Sequence, residues 1–255
     1  MVRFSGPAGL ARPRPEQATA EAGLLLLVAA AAWAGTVLLA RGMAGMTGTM
    51  GLGLAAFVPV WTLMMAAMML PSVAPAASRY VRSGSGRRTA GTAGLTAGYL
   101  AVWAAAGVPA FGLAWLAGWV TGRHPGAAHV VAVAVIAACG VYQLSAPKDR
   151  CLTHCRAPLA RPRPDGWAAD LGVGVRHGAY CLGCCWALMV ILIAVGVMNV
   201  AAMAGLAIVV LIEKTWRRGP AVGRVAGVAT LALAVAIVWL PWLAPSLHAA
   251  PPMMG

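Results

Sequence analysis

The chain has 255 residues, of which 61% are hydrophobic and only 10% are charged, and its mean hydropathy is +0.80. These values exclude an ordinary soluble domain and indicate an integral membrane protein. The formal net charge of +13 alone would suit a nucleic-acid partner. The positions of the basic residues, described below, explain that charge by membrane topology, so no nucleic-acid partner is expected.

Several apolar segments are each long enough to cross a bilayer as a helix, which takes about 20 residues. They predict an all-α fold, a polytopic transmembrane helical bundle of about seven spans. The fifth and sixth segments form one stretch without charge, and a turn near 196–199 is expected to divide it. The predicted spans are 22–40, 52–71, 92–120, 127–145, 175–196, 199–213 and 221–243.

The basic residues alternate between the two sides of this bundle. Of the nineteen Lys and Arg residues, seventeen fall on one side, and only Arg41 and Arg123 fall on the other. Cytoplasmic loops retain positive charge, whereas short exported loops do not. The pattern therefore predicts an inside amino terminus, an outside carboxyl terminus and a multi-pass protein of the plasma membrane, with the lipid bilayer as its surroundings.

The expected organisation is a single transmembrane helical domain over 22–244. It lies between a cytoplasmic tail, 1–21, and a short outer tail, 245–255. The first apolar stretch is too long for an export signal, so a retained span is expected. A cytoplasmic loop over 146–175 carries two of the cysteines. Abundant Gly and Ala suit close helix packing, and a homo-oligomer or a membrane complex would fit.

Two cysteines and a histidine occupy the cytoplasmic loop. Pro147 is expected to open a short helix there, and Pro158 to end it. In such a helix Cys151, His154 and Cys155 have the spacing i, i+3 and i+4 and share one face. The loop therefore presents two thiols and an imidazole together.

The fifth predicted span repeats this spacing. Cys181, Cys184 and Cys185 stand at i, i+3 and i+4, and His177 precedes Cys181 by four residues. Because the spacing is helical, these four side chains are expected to form one stripe near the inner end of the span. A stripe of thiols in the span is thus expected to face a stripe of thiols in the loop.

Thiolate and imidazole donors suit Cu(I) or Zn(II), whereas calcium and magnesium prefer oxygen ligands that are scarce here. The cytosol is reducing, so a cysteine cluster there favours metal binding or redox chemistry over structural disulfides. The alternative is that the cysteines only pack as small apolar side chains. The predicted cargo is copper, with zinc as the alternative, and the candidate ligands are Cys151, His154, Cys155, His177, Cys181, Cys184 and Cys185.

Methionines form a further stripe in the second predicted span. Met64, Met65, Met68 and Met69 recur at helical spacing. Thioether sulfur is a soft ligand that prefers Cu(I) and does not bind protons near neutral pH. Methionine also fills gaps between packed helices, and this alternative remains for the stripe taken alone. Together with the thiols, the stripe suggests a relay for a soft metal toward the outer face.

These motifs resemble the predicted metal-binding integral membrane proteins, a bacterial family of unknown function. The resemblance covers about residues 55–216, and Cys181-x-Gly183-Cys184-Cys185-Trp186 is its most specific part. It implies a membrane protein that binds a metal. The matching segments also include Trp61-x-x-Met64-x-x-Ala67-Met68-Met69-x-Pro71, Tyr142-Gln143, Pro147-Lys148-x-x-Cys151-x-x-x-Cys155-Arg156-x-Pro158, Gly196-Val197-Met198-Asn199 and Glu213-Lys214.

Three functions follow from these residues. The first is binding of a soft metal for transport, sensing or delivery to a metalloenzyme. The second is a membrane thiol-disulfide oxidoreductase, because a CxxC pair with a third cysteine can exchange disulfides. Its weakness is that no outer segment contains a cysteine. The third is a structural subunit of a membrane complex. No phosphate-binding loop occurs and acidic residues are few, so neither a nucleotide-driven pump nor a hydrolytic enzyme is expected, while thiol redox activity stays open.

Overall fold

The computed structural model describes residues 15–43, 46, 48–82, 88–159 and 166–240. These residues form eight helices and no strand, which confirms the all-α prediction. Residues 1–14 of the predicted inner tail and the whole predicted outer tail lie outside the described part. The helices are α1 (Pro15–Gly42), α2 (Leu54–Arg82), α3 (Arg88–Arg123), α4 (Pro125–Gln143), α5 (Ala146–Arg156), α6 (Trp167–Val195), α7 (Val200–Thr215) and α8 (Gly219–Trp239).

Each of the seven predicted spans corresponds to a helix, and in the described ranges six of the helices are long and apolar enough to cross a membrane. These six are α1, α2, α3, α4, α6 and α8. The remaining predicted span is α7, which has 16 residues. At about 1.5 Å per residue it measures about 24 Å, less than a hydrocarbon core of about 30 Å.

The predicted turn between the fifth and sixth spans is confirmed. α6 ends at Val195, and Gly196 follows with a φ of +119°, a conformation that favours glycine. The side chain of Asn199 accepts a hydrogen bond from the backbone N–H of Ala202 at 3.0 Å and caps the start of α7. The long apolar stretch is therefore a hairpin of two helices.

The predicted loop over 146–175 contains more helix than expected. Its first part is α5, with Ser145 as the residue that caps its start. α6 already begins at Trp167, although the fifth span was expected from 175. Asp170 in its first turn favours this early start through the helix dipole, and it accepts a hydrogen bond from the Tyr80 hydroxyl. Residues 167–174, which were expected to belong to the loop because some of them are polar, are thus the first two turns of α6.

Glycines allow α3 and α6 to pack backbone against backbone. A Cβ at Gly174 would overlap the carbonyl oxygen of Leu95, and a Cβ at Gly98 would overlap that of Leu171. Small residues at such positions let two helices approach closely. This approach places Tyr99 of α3 beside the cysteines of α6, and it fixes one wall of the candidate site.

Replacing Gly174 with alanine is expected to lower the free energy of unfolding by about 1–3 kcal/mol, because the added methyl group meets the Leu95 backbone. Thermal unfolding of the detergent-purified protein measures this effect. Gly172→Ala is the matched control on the same helix, since its Cβ would have no neighbour within 4 Å. The control is expected to be neutral or stabilising by up to about 1 kcal/mol. Equal losses in both variants would contradict the close approach.

Candidate metal centre

Three cysteines of α6 form one buried face, as their spacing predicted. Cys181, Cys184 and Cys185 are each at most 1% exposed. The Cys184 and Cys185 thiols both donate hydrogen bonds to the carbonyl oxygen of Cys181, at 3.1 and 2.8 Å. The three sulfur atoms therefore lie within one turn of the helix, inside the bundle.

Cys155 of α5 joins this face. Its Sγ atom lies 3.8 Å from Sγ of Cys184, and the residue is buried. Two sulfur atoms that share a metal at about 2.3 Å are about 3.8 Å apart in tetrahedral geometry and about 4.6 Å apart in linear geometry. The observed separation matches the tetrahedral value and is about 0.8 Å shorter than the linear one, so one ion can reach both sulfur atoms, and two-coordinate Cu(I) would move them slightly apart. No three His, Cys, Asp or Glu side chains among the described residues form a group that could hold a metal ion.

Cys151 contacts α6 through Gly183, the glycine of the cysteine motif. A Cβ at Gly183 would lie 2.7 Å from Sγ of Cys151, so a larger residue there would displace the Cys151 thiol. The Tyr142 hydroxyl donates to the carbonyl oxygen of Gly183 at 2.6 Å, and its ring packs on Trp186 at 4.7 Å. The glycine and tryptophan of the motif thus hold α4 and α5 against α6.

The two α5 thiols are less acidic than an ordinary cysteine. Hydrogen bonds to Cys181 and Cys184, followed by burial, raise the pKa of the Cys155 thiol. Burial, followed by the charge of Cys184, raises the pKa of the Cys151 thiol. Both groups are therefore protonated at neutral pH, and a metal that binds to Cys155 displaces a proton.

Cys181 has a cationic partner that the sequence did not reveal. Nζ of Lys214 donates to Sγ of Cys181 at 2.8 Å and to Oγ of Ser72 at 3.3 Å. The Tyr99 hydroxyl contacts the same sulfur at 2.9 Å. The ammonium therefore places a full positive charge next to the Cys181 sulfur, where it can balance the charge of a metal–thiolate group. Lys214 could have been suspected from the sequence, because an ionisable residue at the end of a span is a sign of function. No pattern in the sequence singled out Tyr99.

A second buried charge pair holds α5 in place. Nζ of Lys148 lies 2.9 Å from a carboxylate oxygen of Glu213, and both side chains are 1% exposed. Glu213 thus pairs with α5 and not with its sequence neighbour Lys214. Arg156 also donates to the carbonyl oxygen of Glu213. The Cys155 end of α5 is thereby fixed to α7.

The two candidate histidines lie in different surroundings. His177 is buried, and its ring is 5.9 Å from that of Tyr99, which contacts Cys181. His154 is exposed, stacks on Tyr180 at 4.3 Å, and its Nδ1 lies 2.8 Å from a backbone carbonyl oxygen. The structure therefore places His177 next to the thiols and His154 on the exposed side of α5.

The methionine stripe of α2 belongs to the same buried core as the thiols. The Met69 end of the stripe approaches the site. Oγ of Ser72 donates to the carbonyl oxygen of Met69 at 2.7 Å and also contacts Lys214. Whether these thioethers bind metal remains a prediction. The four residues, each at most 1% exposed, are Met64, Met65, Met68 and Met69.

The fold and the site together define a class: an all-helical bundle of membrane-spanning length with soft sulfur donors in its interior. A protein-family model described as PpoB2, copper chaperone, matches residues 58–237. The chain therefore belongs to the PpoB2 copper chaperone family. No curated protein and no solved structure matches it.

This membership supports a copper-related role and a metal-related family, as the sequence suggested. It does not extend to zinc, which remains a prediction. The expected likeness to membrane proteins with the Cys-x-Gly-Cys-Cys-Trp motif also remains a prediction. The described spans agree with a membrane location by their length and composition.

Proposed function

We propose that this chain is an integral membrane copper chaperone that holds Cu(I) between the thiols of α5 and α6 and delivers it to a metalloenzyme. The observation that carries this proposal is the 3.8 Å separation of the Cys155 and Cys184 sulfur atoms. The match to a copper chaperone family supports the cargo, and six apolar helices support insertion into the membrane.

Charge balance favours Cu(I) over Zn(II) at this site. A Cu(I) ion with two thiolates has a net charge of −1, and the buried ammonium of Lys214 beside Cys181 offsets it. Buried charge is costly unless it is paired, so a neutral assembly is the stable one. Zinc prefers four ligands, and because Zn(II) with two thiolates is neutral, the buried charge of Lys214 would remain unbalanced. The scarcity of oxygen ligands also favours a soft metal.

The methionines of α2 provide a route away from the thiols. Thioethers bind Cu(I) without exchanging protons, so a metal can pass along them while the protonation of the protein stays constant. The stripe begins at Met69, which Ser72 connects with Lys214, and it continues toward Met64 in the interior of the bundle. We place the acceptor of the copper at the end of the bundle that lies opposite α5.

Thiol-disulfide exchange is the alternative that the same sulfur pair favours, since Cys155 and Cys184 are close enough to be oxidised together after a small movement. It predicts that the number of free thiols falls when the protein meets an oxidised dithiol. A constant number of free thiols under that treatment would exclude it.

The copper content of protein purified without oxygen and reconstituted with Cu(I) tests the proposal. We expect stoichiometric copper in the wild type and its loss in the Cys155→Ser/Cys184→Ser variant, measured by mass spectrometry of the metal. Cys139→Ser is the control, because Cys139 is a buried thiol of α4 rather than of the two site helices. Copper retained in the double variant, or absent from the wild type, would refute the proposed site.

A further inference from the structure

A polar pocket of about 420 Å³ opens between α2, α5 and α7. Basic side chains and hydroxyl groups line most of it, and one thiol lies in its wall. We refer to it as the cationic pocket. The residues that define it are Ser72, Ser78, Arg79, Cys155, Arg156 and Lys214.

The cationic pocket reaches the candidate metal centre, because two of its lining residues also belong to that centre. Cys155 touches Cys184 at 3.8 Å, and Lys214 touches Cys181 at 2.8 Å. Arg79 is exposed, whereas these two residues are buried. The pocket therefore connects the surface of the bundle with its buried thiols.

The pocket carries positive charge. Three basic side chains line it and no acidic side chain does. Arg156 donates to a carbonyl oxygen near the end of α7, and Nε of Arg79 donates to the Pro75 carbonyl oxygen at 3.1 Å. The end of a helix contributes only about half a negative charge. These contacts fix the two guanidinium groups without cancelling their charge, so the pocket repels a bare metal cation and attracts an anion.

Copper that moves between thiols is itself an anion. A Cu(I) ion held by two thiolates has a charge of −1, and carboxylates on the carrier make the charge more negative. We propose that the cationic pocket is the port through which Cu(I) reaches Cys155 and Cys184 as a small anionic thiolate complex, guided by Arg79 and Arg156. This proposal rests on the proposed function. In the exchange, each of the two bonds from copper to a carrier sulfur breaks as a bond to Cys155 or Cys184 forms, and the two carrier thiolates leave with the protons of these two cysteines.

An alkylation experiment tests the port without copper. Thiolate attack on iodoacetate or iodoacetamide forms a carbon–sulfur bond and releases iodide, and only iodoacetate is an anion. We compare the rate with iodoacetate divided by the rate with iodoacetamide at one cysteine. Both rates are proportional to the thiolate fraction of that cysteine, so the fraction cancels in the ratio. For the reduced protein in detergent, with each site followed by mass spectrometry, we expect a higher ratio at Cys155 than at Cys151. Arg79→Gln is expected to lower the Cys155 ratio about fivefold.

Arg150→Gln is the matched control, because Arg150 is an exposed basic residue of α5 outside the pocket lining. We expect it to leave the Cys155 ratio unchanged. Equal ratios in the wild type and the Arg79→Gln variant would overturn the port. So would an Arg150→Gln variant that lowers the Cys155 ratio as much as Arg79→Gln does, since the effect would then not come from the pocket.

Two copper donors of opposite charge separate the port from the proposed function. We expect Arg79→Gln to slow copper transfer from the small anionic complex of Cu(I) with mercaptoacetate and not from cationic Cu(I)–acetonitrile. Equal slowing with both donors, or with neither, would overturn the port alone. A wild-type protein that takes copper from neither donor would overturn the proposed function and, with it, the role of the pocket in copper entry. The alkylation ratios would still show whether the pocket attracts anions.

Discussion

Replacement of Lys214 with methionine is expected to lower the affinity for Cu(I) by about two to three orders of magnitude. The ammonium lies 2.8 Å from Sγ of Cys181, in the buried interior. At an effective dielectric constant of about 20, two unit charges about 4 Å apart interact by about 4 kcal/mol, which corresponds to about a thousandfold change in affinity. Without the ammonium, a Cu(I) ion with two thiolates would leave an unpaired negative charge inside the bundle.

Competition against a coloured Cu(I) chelator without oxygen measures this loss. Lys214→Arg is the matched control, because it keeps the charge, and it is expected to retain most of the affinity. Tyr99→Phe removes only a neutral hydroxyl from the same sulfur, so its effect should be much smaller. A methionine variant that binds copper as tightly as the wild type would show that the charge of Lys214 plays no part in binding.

Replacement of Lys148 with methionine is expected to lower the free energy of unfolding by about 3–5 kcal/mol. The variant leaves the carboxylate of Glu213 buried without its partner, since both side chains are 1% exposed. The lost pair also joins α5 to α7, so the position of Cys155 should loosen. Chemical denaturation in detergent, followed by tryptophan fluorescence, measures the change.

The double variant Lys148→Met/Glu213→Gln is the informative control for this pair. Breaking a buried pair costs more than replacing both partners, because only the single variant leaves an uncompensated charge. The double variant is therefore expected to regain a large part of the lost stability. Losses in the two single variants that simply add in the double variant would contradict a coupled pair.

Local spacing predicted the elements of this protein well. The interval between Cys181, Cys184 and Cys185 identified a common helical face, and the prolines around Cys151 identified α5. Each prediction depends on residues within a few positions of one another. Helical periodicity shows which side chains share a face, but it does not show which other helix that face contacts.

The partners of the site residues were accordingly missed. Lys148 and Glu213 are 65 positions apart, and Tyr99 and Cys181 are 82 positions apart. No local pattern joins such residues, since their contact depends on how whole helices pack.

His154 illustrates a finer limit of spacing. Neighbouring residues of a helix differ by about 100° in direction, so His154 and Cys155 both lie near the direction of Cys151 yet point well apart from each other. The packing of α5 turns Cys155 into the core and leaves His154 exposed against Tyr180. An interval of three or four residues therefore cannot tell which of two adjacent side chains will be buried.

The order of the site residues along the chain has a consequence for biosynthesis. Cys155 and the thiols of α6 are translated before α7, which carries Lys214 and Glu213. A nascent chain that has not yet received α7 has the candidate sulfur ligands but neither the ammonium beside Cys181 nor the carboxylate that anchors α5. Under the proposed function, we therefore expect tight capture of copper only after translation has passed α7, which would keep unfinished chains from trapping the metal.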